Sequence, residues 1–385
     1  MNIEFEQTNK SAVIKVIGVG GAGCNAVNTM IDAGLEGVEF IVANTDQQVL
    51  NNSKAPQKIQ MGSDITKGLG AGANPEIGKQ AALEDIEHIK NILDDADMVF
   101  ITAGMGGGTG TGASPVIAEA IKNIGALTVA VVTKPFDLEG KRRKNVAEEG
   151  LRELTGNVDS LIAIPNQRLF SLAEKTTTLL DGFKMADDVL LHAIKSISDL
   201  INIPGLINLD FADAKTIMAN MGKAFMGIGT SSGENRAAEA ARKAISNPLL
   251  DNITISGARG ILINISASSS LSLQDVEKAT EFIQREAHQD ANVIFGAAID
   301  DSLGENFQVT VIATGFDSNA ARKNDYIREV KNDIIVEETK VPEEIPKMAE
   351  TGEPSNVIKI GTIISEFTDD GEYDIPTFVR NQRSI

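Results

Sequence analysis

The stretch Gly104-Met105-Gly106-Gly107-Gly108-Thr109-Gly110-Thr111-Gly112 decides the fold of this 385-residue chain. Before it, the apolar run Met98–Ala103 predicts a buried parallel strand. After it, Ala113–Ile121 predicts a helix that tolerates Pro115 in its first turn. Glycines leave backbone N–H groups free to surround an anion, and a helix N-terminus adds partial positive charge. Because this loop is held between a strand and a helix, we predict a phosphate-binding loop rather than a flexible surface connection.

No Gly-Lys-Ser/Thr triplet follows these glycines, so the loop is not a Walker A loop. The order Gly-Gly-Gly-Thr-Gly-Thr-Gly over residues 106–112 resembles the signature of the tubulin/FtsZ family, and the resemblance covers nearly the whole chain outside a linker at 317–371. It implies an α/β fold and a GTPase with GTP as substrate and Mg²⁺ as cofactor. It also implies head-to-tail homopolymers that form the division ring (Z-ring) at the bacterial septum.

The composition argues against several kinds of partner. The formal net charge is -19, with no Trp and two Tyr, which disfavours nucleic acid and direct binding to anionic lipid. No apolar run approaches the ~20 residues of a membrane span. Residues 1–10 are acidic, lack a signal-peptide pattern and are expected to be disordered. One Cys excludes an internal disulfide, and three scattered His do not suggest a metal site. We therefore expect a cytoplasmic protein. The resemblance implies in addition a location at the midcell division site and only indirect contact with the membrane.

A second glycine-rich loop follows the first predicted strand and leaves an alternative open. Gly18, Gly20 and Gly23 fit G-x-G-x-x-G, and Asp46 follows at the end of a second strand. This is a formal match to the dinucleotide-binding fingerprint, so an NAD(P)-binding Rossmann oxidoreductase is the second hypothesis. Two features weigh against it. Such a domain has no use for the glycines at 104–112, and no poised His or Tyr-x-x-x-Lys is evident for hydride transfer.

The resemblance assigns nucleotide contacts to each glycine-rich loop and to the strand ends. The first loop and the second strand would contribute Gly20, Gly21, Ala22, Gly23, Asn25, Asn44 and Asp46. The loop over 66–75 would contact the terminal phosphate through Ala71, Gly72 and Ala73. The central loop would contribute Gly104, Gly106, Gly107, Gly108, Thr109, Gly110, Thr111 and Gly112. The ribose and phosphate side would be lined by Thr133, Pro135, Glu139 and Arg143. By spacing alone, Glu139 and Arg143 could equally form a surface pair one helical turn apart.

Phe183 and Asp187 lie four residues apart near the start of a helix predicted over Thr178–Ile201, and therefore on one face of it. An aromatic ring can stack on a base, and a carboxylate can accept hydrogen bonds from the N1–H and 2-amino groups of guanine, which adenine lacks. From the residues alone, a core Phe and a solvated Asp would be the better explanation. The resemblance favours the nucleotide role and adds Asn25 and Asn166 as guanine contacts.

Asp210 and Asp213 lie at the start of a later helix. Two acids three residues apart at such a place are ordinarily explained as N-terminal capping and dipole compensation. The resemblance implies catalysis instead: together with Asn208 they would enter the nucleotide pocket of the next subunit and position the attacking water. A straight helix over 178–201 would place them roughly 30 Å or more from the glycine loop. The hydrolysis site would then be complete only between two subunits, a contact that generates open filaments.

The alternation of strand-like and helix-like segments predicts two α/β domains and a long helix between them. The predicted units are a three-layer Rossmann-like GTP-binding domain with a five-stranded parallel sheet (11–177), a central connecting helix (178–202), the catalytic loop with its helix (203–220), and a second, smaller α/β domain with a mixed sheet (221–316). In the second domain, Asn292–Ile299 and Phe307–Thr314 are predicted to be adjacent strands.

The remaining residues are predicted to form a tail. Residues 317–371 are an acidic linker expected to be disordered. Within 372–385, the short apolar segment Tyr373–Arg380 is typical of a tail that docks on a partner. It resembles the C-terminal peptide by which members of the family engage membrane-tethering division proteins of the FtsA type.

Overall fold

The computed structural model describes residues 12–170, 176–202, 206–207, 210–250 and 255–316. The predictions for residues 1–10, for Asn208, for the linker at 317–371 and for the tail at 372–385 therefore lie outside the described residues. None of the described helices combines the length and the apolar character that crossing a bilayer requires.

The described residues form an α/β fold. The strands are β1 (Ile14–Val19), β2 (Glu39–Asn44), β3 (Gln57–Gln60), β4 (Met98–Gly104), β5 (Leu127–Lys134), β6 (Ser160–Pro165), β7 (Gly222–Ser231), β8 (Gly260–Ala267), β9 (Asn292–Ile299) and β10 (Phe307–Thr314). The helices are α1 (Gly20–Asp32), α2 (Gln47–Asn52), α3 (Ser63–Thr66), α4 (Pro75–Glu84), α5 (Ile86–Leu93), α6 (Thr109–Ile124), α7 (Lys141–Asn157), α8 (Asn166–Leu169), α9 (Leu179–Asn202), α10 (Phe211–Met218), α11 (Arg236–Ile245) and α12 (Leu273–Glu286).

The strands form one sheet in the order β3-β2-β1-β4-β5-β6-β7-β10-β8-β9. From β3 to β7 every pair is parallel, β10 is antiparallel to both of its neighbours, and β8 is parallel to β9. The predicted α/β class, with a parallel sheet in the first half and a mixed sheet in the second, is confirmed. The two halves share this sheet through β6 and β7, which pair at Ser160–Gly222, Leu161–Lys223 and Ile162–Ala224.

Two details of the predicted strands are wrong. The last two strands, β9 and β10, are not adjacent, because β8 lies between them. The chain leaves β8, passes through α12 and returns as β9 parallel to β8, and β10 then pairs between β7 and β8. The first half also contains β3 (Gln57–Gln60), a short edge strand beside β2 that adds a sixth strand to the predicted five. Its sequence is mostly polar, which hides it from a search for apolar runs.

Helices cover both faces of the sheet. In the first half, buried side chains of α1 and α9 pack on one face, and those of α4, α5, α6 and α7 pack on the other. In the second half, α11 and α12 pack on one face, whereas α9 and α10 contribute to the core on the opposite face. This is the three-layer arrangement expected when a mostly parallel sheet is buried on both sides.

The long helix α9 connects the two halves. Its 24 residues, Leu179–Asn202, correspond to a length of about 36 Å. Leu190, Ile194 and Ile197 are buried along it, which agrees with the predicted helical spacing. At its end, the Asn202 Nδ2 donates to the Gly37 carbonyl at 2.6 Å, shortly before the start of β2. The helix therefore runs to the edge of the sheet at which the parallel strands begin.

The helix after the central glycines begins at Thr109, inside the glycine-rich stretch. The prediction that it starts near Ala113 is wrong, and Pro115 lies in the helix interior rather than in its first turn. The early start places the last glycines in the first turn of α6, with the Gly112 N–H bonded to the Gly108 carbonyl at 3.0 Å. The first turn of α6 therefore alternates threonine with glycine.

A candidate nucleotide-binding site

A cleft of about 460 Å³ lies at the ends of β1, β4, β5 and β6, beside the start of α9. In an open parallel sheet, ligands bind outside these carboxyl ends of the strands. Its lining residues come from loops far apart in the sequence: Val19, Gly21, Ala22, Asn25, Gly104, Met105, Gly107, Gly108, Thr109, Gly110, Thr133, Pro135, Glu139, Arg143, Asn166, Phe183, Ala186 and Asp187. Fifteen of these were predicted, and Val19, Met105 and Ala186 were not. Val19 and Met105 are direct neighbours of predicted glycines, and Ala186 is one helical turn beyond Phe183.

The central loop is shaped so that its backbone faces the cleft. Gly106 has a φ of 100°, a left-handed conformation that favours glycine, and a side chain there would lie 2.8 Å from the Arg143 carbonyl. The Gly106 N–H donates to Oγ1 of buried Thr111 at 2.8 Å, so this threonine holds the loop and does not line the cleft. At Gly107 an added Cβ would meet no atom within 4 Å. The backbone there is open for an anion.

The first glycine loop closes against the central one. A Cβ on Gly20 would lie 2.8 Å from the Gly110 nitrogen, and one on Gly104 would lie 2.6 Å from the Cβ of Ala22. Gly21, in contrast, has open space around it and lines the cleft. Both loops therefore contribute to one cavity, as expected for a single nucleotide.

Gly23, the last glycine of the G-x-G-x-x-G fingerprint, has a packing role. A Cβ on Gly23 would lie 2.5 Å from the Thr102 carbonyl, so this glycine lets α1 pack closely on β4. Gly112 serves a similar purpose, because a Cβ there would overlap the Pro75 carbonyl of α4. Neither residue lines the cleft, and their predicted nucleotide contacts remain predictions.

The loop over residues 66–75 lies beside the central loop. Buried Ala71 is the point of approach, because a Cβ on Gly108 would lie 2.9 Å from the Cβ of Ala71. Gly72 and Ala73 are exposed and have φ values of 58° and 57°. These three residues do not line the cleft, although Ala71 lies next to Gly108, which does, so their predicted nucleotide contacts remain predictions.

Asn44 and Asp46 do not line the cleft. Asp46 caps α2, where its Oδ1 accepts from the Gln48 N–H at 2.9 Å, and the Asp46 N–H donates to Asn44 Oδ1 at 3.2 Å. Between them, buried Thr45 was not predicted at all, although its Oγ1 lies 2.7 Å from Oγ1 of Thr109. The sequence signal that could have revealed Thr45 is its position at the end of a strand, between two predicted contacts.

Glu139 and Arg143, predicted for the ribose and phosphate side, both line the cleft. Glu139 Oε2 accepts from Arg143 Nη1 at 2.6 Å, and Glu139 Oε1 accepts from the Phe136 N–H at 2.9 Å. The Glu139 side chain is only 13% exposed, so the pair is more than a surface contact. Among the described residues that line the cleft, Arg143 carries the single positive charge. Phosphates in this cleft would therefore be held mainly by backbone N–H groups.

At the other end of the cleft, three predicted side chains come together on α8 and α9. Asn166 is buried, and its Oδ1 has no hydrogen-bond partner within the described part of the chain. Burial raises the pKa of Asp187 to about 7, with a further contribution from the charge of Asp188. Phe183 is 40% exposed and lines the cleft beside them. One buried acceptor without a described partner, one half-buried carboxyl and one available ring suit a planar base that carries N–H groups.

Asp210 and Asp213 are not in this cleft. Asp210 stands at the N-cap of α10 but makes no side-chain capping hydrogen bond, so the capping explanation does not account for it. Both acids are exposed. The flanking segments lie at the start of the parallel strands: α9 ends beside Gly37, and the carbonyl of Met218, at the end of α10, accepts from Ser160 Oγ at 2.7 Å. The structure therefore groups the predicted nucleotide residues at one edge of the sheet and these acids toward the other.

Comparisons with known proteins identify the family of the chain. Residues 13–174 match the model of the tubulin/FtsZ family GTPase domain, and residues 222–317 match that of the FtsZ family C-terminal domain. An empty FtsZ dimer from M. jannaschii is 46% identical, with a TM-score of 0.78 over 81% of this chain and 90% of that chain. A point mutant of FtsZ from the same organism gives 46% identity and a TM-score of 0.77 over 80% of this chain and 92% of that chain.

A more distant structure shares the fold. The GTPγS-bound protofilament of CetZ2 from Haloferax volcanii is 19% identical, with a TM-score of 0.67 over 83% of this chain and 99% of that chain. The fold, the two matching domains and the 46% identity over most of the length agree with one another. The chain belongs to the FtsZ family, and its first half is a tubulin/FtsZ GTPase domain.

Proposed function

We propose that the cleft binds GTP with its triphosphate over the glycine loops and its guanine at α9. The observation that carries this proposal is the meeting, in one cavity, of an open glycine backbone with the buried Oδ1 of Asn166, which has no partner among the described residues, and the half-buried carboxyl of Asp187. Gly21, Gly107 and Gly110 would face the phosphates, and Glu139 with Arg143 would face the ribose. The matching GTPase domain supports this assignment.

Guanine fits the base end better than adenine does. Asn166 Oδ1 and the Asp187 carboxylate both accept hydrogen bonds, and guanine presents donors at N1 and at the 2-amino group. Adenine would leave at least one of these acceptors unpaired, which is costly for the buried Asn166 Oδ1. Phe183 would stack on the face of the base. The match of residues 13–174 to a tubulin/FtsZ GTPase domain disfavours the dinucleotide hypothesis.

Mg²⁺ would be held mainly by the nucleotide. The described residues contain no group of three or more His, Cys, Asp or Glu placed to hold a metal ion. In phosphoryl-transfer sites Mg²⁺ commonly binds through phosphate oxygens and water. When bound, the ion would neutralise charge that develops on the phosphates. The residues of the chain would hold the nucleotide in one orientation.

Hydrolysis would take place between two subunits. Asp210 and Asp213 are exposed and do not line the cleft of their own subunit, and the Asp210 side chain makes no capping hydrogen bond. With Asn208, they would enter the cleft of the next subunit and position the attacking water. A contact between two different surfaces of the same chain does not close on itself, so it generates filaments. GTP turnover would then depend on assembly.

The proposed cellular role is that of a self-assembling GTPase in the division ring (Z-ring) at the septum, in the cytoplasm at midcell. Its similarity to FtsZ supports this role. The domain at 11–177 would bind GTP, and the second domain at 221–316 would make contacts between subunits. The tail, through Tyr373–Arg380, would engage membrane tethers of the FtsA type, so the contact with the membrane would be indirect. No nucleic-acid partner is proposed.

Assembly and turnover measured together test this function. GTP, but not ATP or NAD, should produce sedimentable filaments before phosphate is released. The specific activity should rise steeply above a threshold protein concentration, because each active site needs two subunits. Hydrolysis that stays strictly proportional to protein concentration down to high dilution would contradict the shared site. Equal binding of ATP and GTP would contradict the assignment of the base end.

A further inference from the structure

Phe136 lies behind the base end of the cleft and does not line it. It follows Pro135 after β5 and is 3% exposed. Its N–H donates to Oε1 of Glu139 at 2.9 Å, and Oε2 of Glu139 accepts from Arg143. The backbone of Phe136 is thus tied to the ion pair on the ribose side of the cleft.

The ring of Phe136 reaches the opposite, base side. It makes an edge-to-face contact with Phe183, with ring centroids 5.4 Å apart and planes at 88°. A second such contact joins it to Phe170, at 5.4 Å and 73°. The first turn of α9 also passes close to it, because a Cβ on Gly182 would lie 3.8 Å from Phe136 Cζ. Edge-to-face pairs of this geometry are favourable beyond the area they bury.

Phe183 needs such a contact. It is 40% exposed, and a partly exposed side chain keeps rotamer freedom unless a neighbour restricts it. Stacking on a base requires the ring to be held in one orientation. We infer that Phe136 is a positioning residue for guanine nucleotides: it holds the Phe183 ring in the orientation that stacks on the base. This inference rests on the proposed GTP site.

The role has a recognisable signature. Stacking uses the face of the base and tolerates any base, whereas Asp187 and Asn166 read the edge. Loss of the Phe136 ring should therefore weaken guanosine and inosine nucleotides by the same factor. The glycine loops and the distant acids are untouched by this change. KM for GTP should rise while kcat at saturating GTP stays the same.

Two variants, Phe136→Leu and Phe136→Met, test the inference, the second because it better preserves the buried volume. We expect Kd for GDP, measured by calorimetry, to rise roughly fivefold to tenfold in both. The matched control is Phe225→Leu, because Phe225 makes the same kind of contact with Phe316, at 5.1 Å and 88°, in the other half of the sheet. In this control, Kd for GDP should be unchanged.

A double variant shows whether Phe136 acts through Phe183. If it does, Phe136→Leu combined with Phe183→Leu should bind GDP no more weakly than Phe183→Leu alone. The ratio of IDP to GDP affinity should match that of the wild type. Additive losses, a changed ratio, or a Kd within twofold of wild type in both Phe136 variants would overturn the inference. Failure of the wild-type protein to bind GDP would instead overturn the proposed function.

Discussion

The hydroxyl oxygens of Thr45 and Thr109 lie 2.7 Å apart, which joins the loop after β2 to the first turn of α6. Thr45 is fully buried, whereas Thr109 lines the cleft. The carbonyl of Thr45 also accepts from the Gly70 N–H at 3.2 Å. One residue therefore connects the loop over 66–75 with the phosphate end of the site.

Removing the Thr45 hydroxyl should loosen the phosphate end of the site. In Thr45→Val the shape is kept and one buried hydrogen bond is lost, which typically costs about 1 kcal/mol. We expect a lower free energy of unfolding by about that amount, and GDP binding about fivefold weaker, measured by denaturation and calorimetry. Thr280→Val is the control, because its hydroxyl bonds only carbonyls of its own helix. Unchanged GDP affinity in Thr45→Val would show that Thr109 does not need this contact.

Gly107 should be required for binding and dispensable for folding. A Cβ there meets no protein atom within 4 Å, so Gly107→Val should keep the melting temperature of the wild type. Its side chain would occupy the space proposed for phosphate, and Kd for GDP should rise at least about tenfold. Gly112→Ala gives the opposite result, because its Cβ overlaps the Pro75 carbonyl, and should lower the melting temperature. Tight GDP binding by Gly107→Val would place the phosphates elsewhere.

Asp213→Ala should bind GTP normally and hydrolyse it about a hundredfold more slowly, the loss expected for one contact made in the transition state. Phosphate release measured over a range of GTP concentrations gives both the apparent affinity for GTP and the rate of hydrolysis. Asp94→Ala, which removes an exposed acid after α5, is the control and should hydrolyse GTP at the wild-type rate.

Mixing distinguishes a shared site from a site within one chain. Asp213→Ala keeps an intact cleft but lacks a catalytic acid, whereas Gly107→Val keeps both acids but has a blocked cleft. Each variant is therefore expected to be inactive alone. A mixture should regain part of the activity, because the cleft of the first variant can meet Asp213 of the second. A mixture as inactive as its components would argue that cleft and acids act within one subunit.

Nucleotide affinity should depend on pH through Asp187. Its pKa is raised to about 7 in the folded protein, so the carboxyl becomes protonated below that pH and ceases to be a pure acceptor. GDP affinity should fall as the pH drops from 8 to 6. Asp187→Asn should bind more weakly and lose this dependence. A pH profile of Asp187→Asn that matches that of the wild type would assign the effect to another group.

The stability of the nucleotide-free protein should show the opposite trend. A pKa raised on folding gives stability that is complete below the unfolded value, about 3.9, and is lost as the pH rises through the folded value, about 7. Asp187→Asn should therefore gain stability relative to the wild type as the pH is raised from 5 to 8. Melting temperatures across this range measure the difference. A constant difference between the two proteins would contradict the raised pKa.

The glycine loops were predictable because their signal, glycine spacing between a strand and a helix, is local. The pair Phe183–Asp187 needed the family resemblance, since positions four apart on one helix face fit a core Phe and a solvated Asp as well. The start of α6 at Thr109 was not predictable, since glycines and threonines are poor helix formers and that helix packs on α4 and other distant segments. The position of β10 between β7 and β8 was also hidden, because strand order depends on contacts between distant segments. Thr45 and Phe136 act through such contacts and carry no motif.

Helix α9 has a further consequence for the proposed filament. Its first turns carry Phe183 and Asp187, and its last turn leads to the segment that ends in Asp210. In a head-to-tail filament, one such helix would separate each nucleotide from the next. The spacing of nucleotides along the filament would then be set mainly by the length of α9, about 36 Å, and by the short segments at its two ends. The conformations of surface loops would contribute little to it.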